Sequence, residues 1–145
     1  MYREVNKDMV KFPFVAGPSM LGSEALTYMK ECNIRHLPVL KNGRLIGIVS
    51  ERDLVTEASK SQTLDETMIP RPYVVNEKEN LANVVSVMAE MKYGCAMVLN
   101  DLGYLVGIFT TVDALKLLEK FLSPDSQFYN SYENVISLKE AADWI

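Results

Sequence analysis

The sequence predicts a mixed α/β fold built from two copies of one unit, and two observations support this prediction. The chain of 145 residues matches itself at an offset of 59 residues, which becomes 60 after one extra loop residue. Within each copy, apolar residues recur first at helical spacing and then in short runs bounded by turns. The matched pairs include Met9 with Met68, Pro13 with Pro72, Met29 with Met88, Gly47 with Gly107, Ser50 with Thr110 and Asp53 with Asp113.

Each copy is predicted to run strand, helix, strand, strand and helix, as the first copy illustrates. Residues 25–32 carry apolar side chains at helical spacing, and the apolar run 37–40 is followed by a turn at 41–43. Residues 44–49 then form the partner strand of a hairpin. Asp53 lies at the start of a second helix, where unpaired backbone N–H groups favour an acidic side chain.

The second copy repeats the same order of elements. A helix is predicted at 81–91, followed by strands at 96–99 and 105–109 around a turn at 100–103. A closing helix at 113–122 is rich in strong helix formers. The two units therefore have matching predicted architectures.

The chain is expected to divide into domains at 1–62 and 63–122, with a C-terminal extension at 123–145. Polar residues 60–67 connect the two copies. In the extension, residues 137–140 fit a capping box that opens a short final helix. A frayed terminus is the alternative for this segment.

Composition and charge exclude several classes of function. A net charge of −4 does not fit a nucleic-acid-binding surface, which needs clustered Lys and Arg. Cys32 and Cys95 lack metal-ligand spacing, and a single His cannot complete a zinc site with them. The sequence also lacks a signal core and a long apolar run, so we expect a cytoplasmic protein without a membrane partner.

The strand-to-helix junctions 47–53 and 107–113 share one pattern: glycine, two apolar residues, Ser or Thr, two variable residues and Asp. This pattern resembles the signature of CBS domains, the repeat named after cystathionine β-synthase. In the first copy the junction is preceded by residues 34–39, Ile-Arg-His-Leu-Pro-Val, which resemble the basic-apolar-proline-valine strand of the same family. The resemblance covers about residues 9–122.

The resemblance implies tandem CBS domains, two β-α-β-β-α units packed sheet to sheet with pseudo-two-fold symmetry. It further implies two clefts between the units, a homodimer of such pairs, and adenosine derivatives as ligands. Those ligands would be AMP, ADP, ATP or S-adenosylmethionine, held as regulatory ligands and not as cofactors.

Transferred to this sequence, the resemblance places one cleft around Asp53. A carboxylate can accept hydrogen bonds from the two ribose hydroxyls, and the hydroxyl of Ser50 lies at a helix entry that favours anions. An ordinary helix cap is the alternative role for Asp53, as it is for Asp113. The expected lining residues of this cleft are Ile48, Ser50, Arg52 and Asp53 from the first copy, with Tyr73, Val74, Gly94 and Cys95 from the second.

The second cleft is expected around Asp113. Arg35 and His36 can both face phosphate there, whereas Arg52 is the one evident cation of the first cleft. We therefore expect a phosphorylated ligand at Asp113 and a less charged ligand, or none, at Asp53. A partly buried strand residue is the alternative role for His36. The expected lining residues are Ile108, Thr110 and Asp113, with Phe14, Val15, Ile34, Arg35, His36 and Pro38.

Two functions fit these expectations. The first is a regulatory module that senses adenine nucleotides or S-adenosylmethionine and acts on an unknown effector protein. The second is a structural or oligomerisation scaffold that has lost ligand binding. An enzyme is not expected, because the sequence has no Ser-His-Asp set, no paired catalytic carboxylates, no glycine-rich phosphate loop and no metal-ligand spacing.

Overall fold

A computed structural model describes residues 2–125 and confirms a mixed α+β fold. Short 3-10 helices cover Val5–Lys7 and Glu51–Leu54. The helices are α1 (Gly22–Cys32), α2 (Glu57–Ser61), α3 (Leu64–Thr67), α4 (Leu81–Met91) and α5 (Thr111–Leu122). The strands are β1 (Val10–Lys11), β2 (His36–Lys41), β3 (Arg44–Ser50), β4 (Val74–Asn76), β5 (Cys95–Leu99) and β6 (Leu105–Thr110).

The strands form two sheets, and each copy adds a few residues to the sheet of the other copy. One sheet has the order β1-β6-β5-β4, and β2 pairs with β3 in the other. Although β1 belongs to the first copy, its Val10 pairs antiparallel with Ile108 of the second. In return, Ile69 of the second copy exchanges two backbone hydrogen bonds with Ile48 of β3, at 3.0 and 2.8 Å. The first residues of each copy thus extend the sheet of the other.

The hairpin between β2 and β3 forms where the sequence predicts it. Asn42 and Gly43 both have positive φ, at 52° and 76°, which this tight turn requires and which Asn and Gly tolerate best. Across the hairpin, His36 is the register partner of Ser50. The turn therefore fixes which strand residues lie beside the junction at Ser50.

The two sheets pack against each other through apolar side chains. Ile48 from β3 forms a buried cluster with Cys95, Met97 and Ile108 from β5 and β6. On the opposite face of β2 and β3, a second buried cluster packs the sheet against α1, with Leu37, Val39 and Val49 fully buried. This arrangement confirms the expected sheet-to-sheet packing.

Two details of the first copy differ from the prediction. Its second helix is broken into the 3-10 helix Glu51–Leu54 and α2, because the Thr56 hydroxyl accepts a 3.1 Å hydrogen bond from the Ser59 N–H and so starts a new helix. The predicted polar connector contains α3, whose Leu64 is fully buried in the core. Burial of the Leu64 side chain stabilises this short helix within the connector.

The chain divides into two compact units, the first ending at Thr110 and the second beginning at Thr111. The second unit starts with α5, none of whose residues is buried. The predicted final helix at 137–140 lies outside the described residues. Within residues 2–125, no helix has the length and apolar character needed to cross a membrane.

Candidate functional site

The junction after β3 joins Ser50 directly to Asp53. The Asp53 Oδ2 atom accepts hydrogen bonds from the backbone N–H and the hydroxyl of Ser50, both at 2.8 Å. Because the two bonds use the same oxygen, the other carboxylate oxygen of Asp53 keeps its acceptor capacity. Asp53 therefore stabilises the start of the 3-10 helix and can still accept a ligand hydroxyl.

A short segment crosses from one sheet to the other beside this junction. It leaves the β2-β3 sheet at Ile69, which pairs with Ile48. It reaches the four-stranded sheet at Tyr73, whose carbonyl accepts a 2.8 Å hydrogen bond from the backbone N–H of Met97. The Tyr73 ring lies 5.3 Å from the ring of Tyr93, measured between centroids. Tyr93 was not among the predicted site residues, although its position next to Gly94 could have identified it.

His36 connects the two copies. Its Nε2 atom lies 2.7 Å from the place where a β-carbon on Gly94 would be, so the ring packs on the Gly94 backbone. Burial lowers the pKa of His36, Asp53 raises it, and Arg35 and Arg52 lower it further. The structure thus brings together His36 and Gly94, which the sequence analysis assigned to different clefts.

Four of the predicted apolar site residues lie deep in the protein. Ile48 and Ile108 are each 6% exposed, Pro38 is fully buried, and Cys95 is in the cluster between the sheets. Burial raises the pKa of the Cys95 thiol to about 12, so the thiol is neutral at physiological pH. Pro38 therefore offers no surface to a ligand, and Ile48, Ile108 and Cys95 offer very little.

The remaining predicted residues are more accessible. Phe14 and Val15 are exposed, and the Phe14 ring meets Tyr28 edge to face at 5.9 Å. Ile34 packs against the core cluster beside α1. At the junctions, Ser50, Asp53, Tyr73, Gly94 and Thr110 are half-buried, whereas Arg35, Arg52 and Val74 are exposed.

Asp113 is in the first turn of α5 and is half-buried. Like Asp53, it follows its matched Ser or Thr by three residues. It belongs to the second unit, whereas the other residues expected around it belong to the first.

The glycines that open the two junction motifs, Gly47 and Gly107, each lie against a methionine side chain of the other copy. The side chain of Met68 lies on Gly47, and the side chain of Met9 lies on Gly107, so a β-carbon at either glycine would collide with the thioether. Sequence reasoning missed this contact. The paired matches of Met9 with Met68 and Gly47 with Gly107 were the available signal.

Residues 2–125 contain no candidate metal site. Among residues 2–125, no group of three or more His, Cys, Asp or Glu side chains is arranged to hold a metal ion.

Comparison with known proteins matches both halves of the chain to one family. The model of the CBS domain family matches residues 3–60 and again residues 64–120. The L-aspartate semialdehyde sulfurtransferase of Methanocaldococcus jannaschii is 28% identical over 114 residues, covering 77% of this chain and 22% of that protein. The chain spans between 19% and 24% of the length of the first curated relatives it matches.

Solved structures share the same fold. The CBS domain pair of protein MJ0100, in complex with 5′-methylthioadenosine and S-adenosyl-L-methionine, is 26% identical with a TM-score of 0.76, over 82% of this chain and 98% of that one. The cytosolic domain of the Mg²⁺ channel MgtE, in complex with ATP, is 27% identical with a TM-score of 0.70, over 80% of this chain and 50% of that one. With both of its repeats matched by the family model, this chain belongs to the CBS domain family and carries a tandem pair of CBS domains.

Proposed function

We propose that this chain is a regulatory module without catalytic activity that binds an adenosine derivative between its CBS domains. The candidate ligands are AMP, ADP, ATP and S-adenosylmethionine. The observation that carries this proposal is the convergence of Ser50 and Asp53 with His36 and Gly94 on one side of the first unit. Tyr73, at the end of the segment that crosses between the sheets, adds an aromatic ring that is paired with the ring of Tyr93.

The chemistry of these residues fits a nucleoside. Asp53 would accept hydrogen bonds from the ribose hydroxyls through the oxygen that Ser50 does not use. Tyr73 and the exposed Val74 would supply the apolar wall for the base.

Relatives above 25% identity support this ligand class. The MJ0100 domain pair is in complex with 5′-methylthioadenosine and S-adenosyl-L-methionine, and the MgtE cytosolic domain is in complex with ATP. All three ligands share the adenine base and the two vicinal ribose hydroxyls, which are the parts that an apolar wall and a ribose-binding carboxylate would recognise. The phosphate or amino acid part differs, so it must be recognised by other residues.

A scaffold without ligand is the second candidate. The hydrogen bonds from Ser50 to Asp53 already give the carboxylate a structural role, and the inter-sheet cluster buries Ile48 and Ile108. In this case Asp53 would only cap the 3-10 helix. The two candidates differ in whether the charge of Asp53 contributes to ligand affinity.

Isothermal titration of the nucleotide-stripped chain with AMP, ATP, S-adenosylmethionine and 5′-methylthioadenosine tests the proposal. Asp53→Asn is the informative variant, because the amide oxygen still accepts from the Ser50 N–H while the negative charge is lost. We expect micromolar binding of at least one ligand that weakens about 10- to 100-fold in Asp53→Asn. Asp65→Asn, at an exposed position in α3, is the control. No heat from any ligand would favour the scaffold.

We also propose that the module is a homodimer that acts on an effector protein. Four apolar side chains of α5 are exposed at spacings of three to four residues and would form a self-complementary contact: Val112 (48%), Leu115 (64%), Leu118 (48%) and Leu122 (51%). Sedimentation equilibrium of Leu118→Glu should show a monomer where the unmodified chain is a dimer. A monomer in both would refute this contact.

A further inference from the structure

Phe12 combines two features that its place in the fold does not explain. Its side chain is 90% exposed, and its φ is +52°, a backbone conformation that bulky residues rarely adopt. The other non-glycine residues with positive φ among residues 2–125 end α1, end α4 or lie in the first hairpin turn: Asn33, Lys92 and Asn42. Phe12 instead follows β1 directly, and its match in the second copy, Arg71, does not have a positive φ. The repeated fold therefore requires neither this ring nor this conformation.

The strand before Phe12 has an open edge. In the four-stranded sheet β1 is the terminal strand and pairs with β6, where Lys11 is the register partner of Gly107. The N–H of Phe12 donates a 3.3 Å hydrogen bond to the carbonyl of Val106. Because antiparallel hydrogen bonds alternate along a strand, the N–H and carbonyl of Lys11 point away from β6. The matched residue of the second copy is Pro70, which has no N–H, so of the two segments the first can still pair with a further strand through this residue.

A groove of about 410 Å³ lies beside this edge, and Lys7, Lys11, Phe12, Glu77 and Val106 are among the residues that line it. Both lysines are exposed, and neither takes part in an ion pair among residues 2–125. Glu77 is the one acidic side chain among the described residues of the lining, so positive charge is in excess. The groove thus combines an open strand edge, an exposed aromatic ring and two unpaired cations.

We propose that this surface, which we call the Phe12 groove, binds an extended acidic segment of an effector protein. The segment would add a strand at Lys11, place an apolar side chain on the ring of Phe12, and place carboxylates beside Lys7 and Lys11. A lipid surface fits less well, because hydrocarbon would leave the N–H and carbonyl of Lys11 without hydrogen-bond partners. The Phe12 groove is separate from the adenosine site, so the proposal goes beyond the proposed ligand and does not depend on it.

Selection of a phage-displayed library of random peptides on the full chain tests the proposal, with fluorescence anisotropy of the enriched peptides as the measurement. We expect enrichment of sequences that alternate acidic and apolar residues and bind with micromolar affinity. Lys7→Glu/Lys11→Glu should weaken these peptides at least about 10-fold. Lys30→Glu/Lys41→Glu makes the same charge change at two exposed positions of α1 and β2 and should leave the affinity unchanged.

Two further comparisons separate the ring from the strand edge. Phe12→Gly removes the ring and introduces the residue best suited to a positive φ, so the urea midpoint should stay equal or rise while peptide affinity falls at least about 10-fold. Lys11→Pro removes both the charge and the N–H, whereas Lys11→Ala keeps the N–H. Lys11→Pro should therefore weaken the peptides more than Lys11→Ala does.

The proposal is wrong if no acidic sequence is enriched, if Phe12→Gly binds the peptides normally, or if the two Lys11 variants bind them equally. Binding to anionic phospholipid vesicles that depends on Phe12, without peptide binding, would assign the groove to a membrane. Dimerisation that is lost in Phe12→Gly, again without peptide binding, would assign it to a second copy of this chain. Nucleotide titration of Phe12→Gly should match the unmodified chain, which keeps failure of the groove distinct from failure of the adenosine site.

Discussion

The Nε2 atom of His36 lies 2.7 Å from the position that a β-carbon would occupy on Gly94. His36 begins β2 of the first CBS domain, and Gly94 directly precedes β5 of the second. Only a residue without a side chain at position 94 lets the imidazole reach this depth. The contact therefore couples the backbone of one domain to the junction of the other.

Gly94→Ala is expected to destabilise the chain, because the new methyl group must displace the half-buried imidazole of His36. Overpacking of this kind costs about 1–3 kcal/mol of unfolding free energy. Urea unfolding followed by circular dichroism measures the loss. Gly17→Ala is the matched control, since no heavy atom lies within 4 Å of its added β-carbon and its φ is not positive.

The cause of that loss can be isolated with a double variant. In a His36→Ala background the imidazole is gone, so adding Gly94→Ala should cost less than it does in the unmodified chain. Equal costs in both backgrounds would mean that something other than the ring opposes the methyl group.

Stability should depend on pH through His36, the chain's one histidine. Burial holds its pKa below the ordinary value of 6.5 in the folded protein, so the unfolded chain binds the proton more readily. The stabilisation is complete above pH 6.5 and is lost as the pH falls through 6.5 towards the lowered folded pKa. Urea midpoints between about pH 8 and pH 5 test this dependence.

His36→Gln provides the comparison for the pH series, because it keeps a polar side chain but does not titrate. Carboxylates that do not interact with His36 contribute equally to both proteins and cancel in the difference. The unmodified chain should lose stability relative to His36→Gln as the pH falls below 6.5. A constant difference across the series would show that the fold does not lower this pKa.

The repeated architecture was predictable from sequence because its signals are local. Apolar periodicity gave α1 and α4, and the Asn42-Gly43 turn marked the first hairpin. The exchange of β1 into the sheet of the second domain was not predictable, since two residues carry no pattern that names a partner strand. Tertiary packing selects that partner.

For the candidate site, the sequence offered a set of residues but did not predict which of them lie in contact. Strand alternation places His36 and Pro38 on one face of β2 and Leu37 on the other, yet it does not say how far the imidazole reaches. That distance depends on Gly94, which is remote in sequence. The break after Leu54 was also missed, because Thr56 acts as a cap only once the chain turns there.

The hydroxyl of Ser50 should matter for stability even without ligand. Ser50→Ala removes one of the two hydrogen bonds that Asp53 accepts and leaves the backbone bond in place. We expect a loss of about 0.5–1.5 kcal/mol in unfolding free energy. Thr56→Ala removes the cap of α2 and should cost about 0.5–2 kcal/mol, which gives a scale for the measurement.

The methionines above the motif glycines predict an unequal response to alanine. At Gly107 the three nearest atoms to an added β-carbon all belong to the Met9 side chain, whereas at Gly47 the carbonyl oxygen of Ile69 also lies 2.9 Å away. A flexible thioether can move, but Ile69 is hydrogen-bonded to Ile48. Gly47→Ala should therefore destabilise the chain more than Gly107→Ala, within the range of about 1–3 kcal/mol for overpacking.

Trimming each methionine distinguishes the two obstacles. Met9→Ala should reduce most of the cost of Gly107→Ala, because it removes the three atoms nearest to the added β-carbon. Met68→Ala should reduce only part of the cost of Gly47→Ala, because the Ile69 carbonyl remains in place. Each pair of variants is compared with its single methionine variant by urea unfolding, so that the cavity left by trimming cancels. If trimming the methionine removed the whole cost of the alanine at both glycines, the Ile69 backbone would move as readily as a side chain. The segment at Ile69 would then be only weakly attached to the β2-β3 sheet.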